Sequence, residues 1–285
     1  MSTPQIVVGQ VQIQALLDAH LTFVPSRMFA EVPAERWRAY RELYPHAFNA
    51  DGLIMSNAIC YLLRSRGHLV LLDLGVDAGP VQERGGIRGQ LLEQLASAGV
   101  APEAIDTVVI THLHWDHVGW AVQGDAERRA PTFPHARVLV SQADWAFFRD
   151  SANPLGGIVQ ATVAPLHAQG MVELVNGEHA VTDELTMMPT PGHTPGHCSL
   201  LVQSQGEGCV LTGDVFHSLA QVSETGWSRS ADDSPSQAAA TRRSLVQQAE
   251  LQGLTLAAGH FPFPGFGRIV RIDGERRFQA LTLPE

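Results

Sequence analysis

The sequence predicts an α/β domain. Three observations carry that prediction. Strand-like and helix-like segments alternate along the chain, no linker-like break divides them, and 45% of the 285 residues are hydrophobic, enough to bury a sizeable core. Mean hydropathy is close to zero, as expected of a globular chain. The whole of 1–285 is therefore read as one domain.

Residues 6–24 carry short apolar runs compatible with an opening strand, although their periodicity is ambiguous. Residues 25–56 are irregular and rich in Pro, Phe and Tyr, with a helix expected around 34–43. The stretch 20–56 is read as a lid or an oligomer-contact segment, because long irregular connections in compact domains usually serve function. Segments 59–63 and 68–72 read as two strands around Ser65-Arg66-Gly67. Helical apolar spacing over 91–98 is followed by Gly99 as a stop. A short β-branched strand at 107–111 runs into a histidine-rich turn. A strand at 137–140 precedes a helix at 142–149, and a strand at 185–188 leads to a second histidine-bearing loop. Segments 198–203 and 208–211 read as a hairpin. Ser234-Pro235 opens a helix running to about residue 252, and Asp273-Gly274 joins two strands in a final hairpin.

Composition narrows the function. Lys and Arg total 19 against 29 Asp and Glu, a formal charge of -10, and no basic run is present. Attraction to phosphate backbones needs clustered Lys and Arg, so nucleic acid is not expected as a partner. The cysteines are Cys60, Cys198 and Cys209, with no CxxC pair, and their odd count argues against a disulfide framework. Residues 1–14 lack a basic-then-apolar signal pattern, and no apolar stretch reaches membrane-spanning length. A cytoplasmic protein without a membrane partner is expected.

The chemistry concentrates in His112-Leu113-His114-Trp115-Asp116-His117. Residues two apart on an extended segment point the same way, so His112 and His114 can converge on one ion. A turn then brings Asp116 and His117 to a second. Imidazole nitrogens and carboxylate oxygens are ligands that zinc accepts, and strand ends are where α/β sites usually lie.

This His-x-His-x-Asp-His run resembles the signature of the metallo-β-lactamase superfamily. Further landmarks of the family follow in order: Asp73 at a strand end, His193 in Gly-His-Thr-Pro-Gly-His, Asp214 in Leu-Thr-Gly-Asp-Val, and His260 in Ala-Gly-His-Phe-Pro. The resemblance covers roughly residues 55–285. It implies an αββα sandwich of two mixed sheets flanked by helices. It also implies two zinc ions, with other divalent metals acceptable. One ion takes His112, His114 and His193, the other takes Asp116, His117 and His260, and Asp214 bridges them. A hydroxide between the ions attacks the substrate. Asp116 doubles as a proton shuttle, and Asp73 orients a ligand from behind. His197 is expected to be structural, and His20, His46, His68, His135, His167 and His179 to be surface or loop residues.

Within the superfamily, Asp214 stands where B1 β-lactamases carry cysteine, and His114 where flavodiiron proteins carry a carboxylate. The basic segments of the nuclease branches and the glutathione-binding region of glyoxalase II have no counterpart here. The chain is most similar to the branch of N-acyl homoserine lactonases and methyl parathion hydrolase, through 192–213 and the His-x-x-Phe-Pro-Gly passage at 260–265. The lactonases commonly carry a tyrosine three residues after the bridging aspartate. Here that position is His217, expected to donate a hydrogen bond to the substrate oxyanion and to titrate near neutrality. Trp120 replaces a glycine common among relatives. Trp115 and Trp120 are read first as core packing and otherwise as site residues, and with Phe216, Phe261, Phe263 and Phe266, which closely follow other ligands, they suggest an apolar pocket over the metals. The expected substrate is a small, neutral, partly apolar ester or lactone, and the expected assembly a homodimer. The alternatives are phosphotriester hydrolysis and an iron-dependent thiol or persulfide oxygenase.

Overall fold

The computed structural model describes residues 3–77, 87–124, 129–150 and 153–283. The first sheet contains β1 (Gln5–Val8), β2 (Val11–Phe23), β3 (Ile54–Ser65), β4 (His68–Leu72) and β5 (Thr107–Val109). A separate two-stranded ribbon, β6 (Val122–Gln123) and β7 (Ala130–Pro131), precedes the first sheet's last strands, β8 (Arg137–Ser141) and β9 (Val172–Val175). The second sheet runs through β10 (His179–Ala180), β11 (Leu185–Pro189), β12 (Cys198–Ser204), β13 (Glu207–Leu211), β14 (Thr255–Ala257), β15 (Phe266–Ile272) and β16 (Glu275–Ala280). Both sheets mix parallel and antiparallel pairs.

Alternation of apolar residues drives the sandwich. Ile13, Ala15, Tyr61, Leu63, Val70 and Leu72 from the first sheet pack against Leu185, Met187, Leu200, Val202, Cys209 and Leu211 from the second. Opposite faces of the same strands are covered by helices. Leu62, Leu71, Val108 and Val138 bury against α3 (Leu91–Ser97) and α5 (Gln142–Arg149), numbered in chain order after α1 (Pro25–Met28), α2 (Arg36–Leu43) and α4 (Trp115–Val118). The same face meets α6 (Gly156–Ala161) and α7 (Val163–Ala168) through Val159, Val163 and Leu166. On the other side, Val210 and Leu256 pack under Leu245, Val246 and Ala249 of α8 (Pro235–Gln252). This is the αββα order implied by the resemblance. The cysteines are free and buried. Among the described residues no helix is long and apolar enough to cross a membrane.

Residues 20–23 and 54–56 extend β2 and β3. Between them, Phe29 and Trp37 are buried and pack with Tyr40, Phe48 and Trp227. Tyr40 also reaches Ser223 and Glu224. The irregular segment therefore lies on the loop that precedes α8.

Asp18 fixes the first sheet to what surrounds it. It is the extra residue of a bulge, where the β2–β3 register shifts between Leu17 and Ala19. Its buried carboxylate accepts hydrogen bonds from the backbone N–H groups of Val76, Gln90 and Leu91 and from the Trp120 indole, all within 2.9 Å. Burial raises its pKa, partly offset by these donors. Trp120 is thus a core residue with a specific polar partner, not part of an apolar pocket. Asp18→Ala would orphan three buried donors, the N–H groups of Val76 and Leu91 and the Trp120 indole, each worth about 1–3 kcal/mol, while Gln90 N–H keeps the Asp18 backbone carbonyl. Urea denaturation should show a loss of about 3 kcal/mol or more with an unchanged m-value, whereas an unshifted midpoint would contradict this role.

Candidate metal centre

Strand ends supply every residue of the centre. Chain leaving β4 places Asp73, in the left-handed region at φ 62, beneath the turn that follows β5. That turn carries His112 and His114, and α4 carries Asp116 and His117. Its course is fixed by backbone bonds from Leu74 N–H to the His117 carbonyl and from Trp120 N–H to the Leu74 carbonyl. Gly119 is required there, because a β-carbon would lie 2.3 Å from the Val76 carbonyl carbon. From the second sheet, the loop after β11 brings His193, the turn after β13 brings Asp214, and the loop after β14 brings His260.

The residues converge around one carboxylate in two groups from the predicted ligands, and a third group, Asp214, His217 and His260, brings in His217. His112, His114, His193 and Asp214 offer ligand atoms within 4.8 Å of one another, as do Asp116, His117 and His260. Asp214 Oδ1 lies 3.1 Å from Nε2 of both His117 and His260, and Oδ2 lies 3.1 Å from His193 Nε2. His114 Nδ1 is 2.9 Å from His112 Nε2 and 3.0 Å from His193 Nε2. All seven are buried except half-buried His114. Asp116 Oδ2, His117 Nε2, Asp214 Oδ1 and His260 Nε2 are buried without hydrogen-bond partners. Buried polar atoms are nearly always satisfied, so this inward-facing set of unpaired donor atoms fits metal cations.

Behind the ring nitrogens stands a second set of polar groups. His117 Nδ1 donates to Asp73 Oδ2 at 2.9 Å, while Asp73 Oδ1 accepts from Thr111 N–H at 2.8 Å. His193 Nδ1 donates to Asp232 Oδ1 at 2.9 Å, and His260 Nδ1 donates to the Asn57 carbonyl at 2.6 Å. Each contact leaves Nε2 as the free lone pair. Asp144 Oδ1 accepts from Gly196 N–H and Oδ2 from the Thr194 hydroxyl, with Leu113 N–H nearby, tying the two ligand loops together. Burial lifts its pKa to about 6. His197, as expected, is structural: Nδ1 faces Thr190, and Nε2 accepts from Asp214 N–H at 2.9 Å. Burial holds its pKa down to about 3. Asp232, Asn57 and Asp144 escaped the sequence reading.

The electrostatics follow from crowding. Burial opposes charge on His117, yet Asp214, Asp73 and Asp116 override it and raise its pKa well above the ordinary imidazole value. His193 is raised as well, through Asp214 and Asp232 against burial. For Asp214 burial acts upward, but His260, His117, His112 and His217 hold its pKa well below the carboxylate range.

Two expectations are corrected. His217 is fully buried, with Nε2 3.0 Å from Asp214 Oδ2 and its ring stacked on His260. Burial, then the charge of Arg229, push its pKa well below the usual imidazole range, the direction opposite to the expected titration near neutrality. Phe216 and Phe261 pack in the core beneath α8, Phe266 lies between the sheets, and Phe263 leans on that same core, so none of them forms the expected pocket. Of the predicted aromatic set, Trp115 alone stays half-buried beside the ligands, with Phe23 and Ile87, against Ala19, Leu21, Ala58 and Val76. Arg229, also missed, brings Nη1 to 3.1 Å from His217 Nε2 and 3.7 Å from Asp214 Oδ2.

Comparison with known proteins agrees with this geometry. An N-acyl homoserine lactonase from a Bacillus species is 26% identical over 167 residues, covering 53% of this chain and 60% of the relative. A crystal structure of hydrolase AbOPH of the β-lactamase superfamily superposes with a TM-score of 0.86 at 28% identity, covering 100% of this chain and 99% of that one. The dizinc quorum-quenching lactonase AidC, in complex with a product N-hexanoyl-L-homoserine, shares the fold with a TM-score of 0.84 at 20% identity, covering 100% and 99% of the two chains. The metallo-β-lactamase superfamily model matches residues 56–260, the stretch that holds all seven clustered residues, and the chain accordingly belongs to that superfamily, as one of its metal-dependent hydrolases.

Proposed function

We propose that this hydrolase holds two divalent ions, zinc in the first instance, and opens ester or lactone bonds of small, neutral, partly apolar substrates. One observation carries the reading: a single buried carboxylate, Asp214, offers one oxygen to His117 and His260 and the other to His193. A carboxylate shared in this way suits two cations side by side. The Bacillus lactonase supports the lactone class.

Two bound divalent ions would bring a water's pKa near neutrality and polarise the attacked oxygen. The chain's own residues do the rest. Asp73, Asp232 and the Asn57 carbonyl hold His117, His193 and His260 with Nε2 inward. Asp116 keeps Oδ2 free of hydrogen bonds, 3.7 Å from His260 Nε2, where it can accept the proton that leaves the attacking water. Half-buried Phe23 and Trp115 give an apolar tail a surface beside the ligands. His217, fully buried between Asp214 and Arg229, acts on the site through those two residues.

Elemental analysis of protein purified without chelator should give close to two divalent ions per chain. Asp214→Ala should remain folded, lose at least one ion, and lose ten- to hundred-fold or more of its activity. One tightly held iron and nothing else would overturn the two-metal reading in favour of an oxygenase.

Assayed on neutral lactones, aryl esters, phosphotriesters, glutathione thioesters and oligonucleotides, the enzyme should turn over the neutral acyl substrates best. Preference for glutathione thioesters or nucleic acid would refute the substrate class, and preference for phosphotriesters would move it to the neighbouring chemistry.

His217→Ala should lower kcat about a hundred-fold while the metal content stays at the wild-type value. Unchanged turnover would remove His217 from the site's chemistry.

A further inference from the structure

We propose that Arg229 is the anion-binding residue of this site, receiving the acyl oxygen that becomes negative during hydrolysis and then the product carboxylate. The inference rests on the hydrolase reading above and deepens it.

Arg229 lies on the loop between Val222 and α8. Its side chain is 15% exposed, whereas that of Asp214 is 0% exposed, so Arg229 lies between the buried carboxylate and the surface. The loop is tied to the centre: Arg229 N–H donates to Asp232 Oδ2 at 3.0 Å, and Oδ1 of the same carboxylate holds His193. The guanidinium lies over the Phe23 ring, 5.6 Å from its centroid. Backbone and side chain are thus both positioned.

Three features point to an oxygen anion as its ligand. First, a guanidinium carries five N–H donors and no acceptor. Nη1 contacts His217 Nε2, and among the described residues nothing accepts a hydrogen bond from Nε or Nη2. Second, Asp214 pairs with Arg229 as an ion pair without a hydrogen bond, leaving the guanidinium's donors free of it. Its Oδ2 already lies 3.1 Å from His193 Nε2 and 3.0 Å from His217 Nε2, and Arg229, at 3.7 Å, is beyond hydrogen-bond distance. Third, among the described residues Asp214 is the one carboxylate facing Arg229 and is shared with the histidine cluster, so a guanidinium beside a site suited to two dications favours a further anion. Arg stays charged at any working pH, and its planar fork matches a carboxylate's two oxygens.

Ester or lactone hydrolysis generates such an anion. Water adds to the carbonyl carbon, and the carbonyl oxygen carries the negative charge until the acyl C–O bond breaks. One water proton goes to the leaving alkoxide and the other to solvent, leaving an alcohol and a carboxylate. Arg229 gains in interaction as that oxygen becomes charged, which is what lowers a barrier. His217, with Nε2 3.1 Å from Nη1 and 3.0 Å from Asp214 Oδ2, packs between the two and fixes where the guanidinium lies.

The test uses the metal-loaded full chain with hexanoate as probe, and hexanamide as its neutral counterpart, titrated by calorimetry into wild type, Arg229→Met and Arg229→Lys. Metal content is measured on the same samples. Hexanoate affinity should fall at least ten-fold in Arg229→Met and partly recover in Arg229→Lys, with hexanamide binding alike in all three. On any ester the wild type hydrolyses, Arg229→Met should lose about a hundred-fold in kcat with a smaller change in KM. Equal hexanoate affinity in wild type and Arg229→Met overturns the proposal, as does loss of metal in Arg229→Met, which would make the residue structural. Because hexanoate binding needs no turnover, failure of the hydrolase reading would show separately, as a wild type that binds hexanoate and cleaves no ester.

Discussion

Asp214 carries a negative charge to a place that water does not reach, and the arrangement of both sheets answers to it. An isolated carboxylate so buried would be expected to bind a proton. Instead, Nε2 atoms of His117, His193, His217 and His260 stand within 3.1 Å of it and that of His112 at 3.6 Å. His112 belongs to the turn after β5 and His117 to α4 that follows it, while the others come from loops of the second sheet. The apolar contact between sheets is therefore more than a source of stability. It sets the spacing at which two sets of strand ends meet around one carboxylate, and a shift of one sheet against the other would pull the groups apart.

Holding rings at those distances needs a second fixed point for each. The acceptors behind His117, His193 and His260 are an aspartate from the first sheet, an aspartate from the loop before α8, and a backbone carbonyl of β3. No two share an element, so each imidazole is oriented independently, with its tautomer set by the acceptor it faces. His197 extends the principle to the backbone by accepting from Asp214 N–H, and Gly213 is needed because a β-carbon there would lie 2.7 Å from that imidazole nitrogen. Asp232 has two such roles, with His193 on one oxygen and Arg229 N–H on the other. Arg242 lies 3.6 Å from the same carboxylate and stabilises its buried charge.

The ligand cluster was legible because its chemistry is written in rare residue types at short spacing, on segments whose ends the β pattern marks. Helix 142–149 and the helix from Pro235 to Gln252 were legible for the same kind of reason. The supporting groups were not. Asp232 lies 39 positions from the histidine it orients, and Asn57 lies 203 positions from His260, so nothing local links them. The opening of β3 went unread because Ser56 and Asn57 interrupt its apolar pattern, though both are buried. The phenylalanines misled for a related reason. Closeness to a ligand in sequence says little about direction at a strand end, and these rings turn into the cores on either side. His217 was placed correctly beside Asp214, but its titration depends on burial and on Arg229, which only the folded chain brings to it.

The candidate ligand atoms and the residues proposed to meet substrate thus come from different parts of the fold. Ligand atoms ride on strand ends, backed by both cores. Phe23, Trp115 and Arg229 sit at the end of β2, at the start of a four-residue helix, and on a loop. Loops change at little energetic expense, whereas strand ends buried between two sheets do not. A chain built this way can keep its metal chemistry while its selectivity moves. Here the moving parts combine two half-buried aromatic rings of one cluster with a cation over Phe23. An apolar acyl chain with an oxygen that turns negative satisfies both at once. A polyanion would meet half-buried rings on the same surface, with a single guanidinium to offset the loss of its hydration.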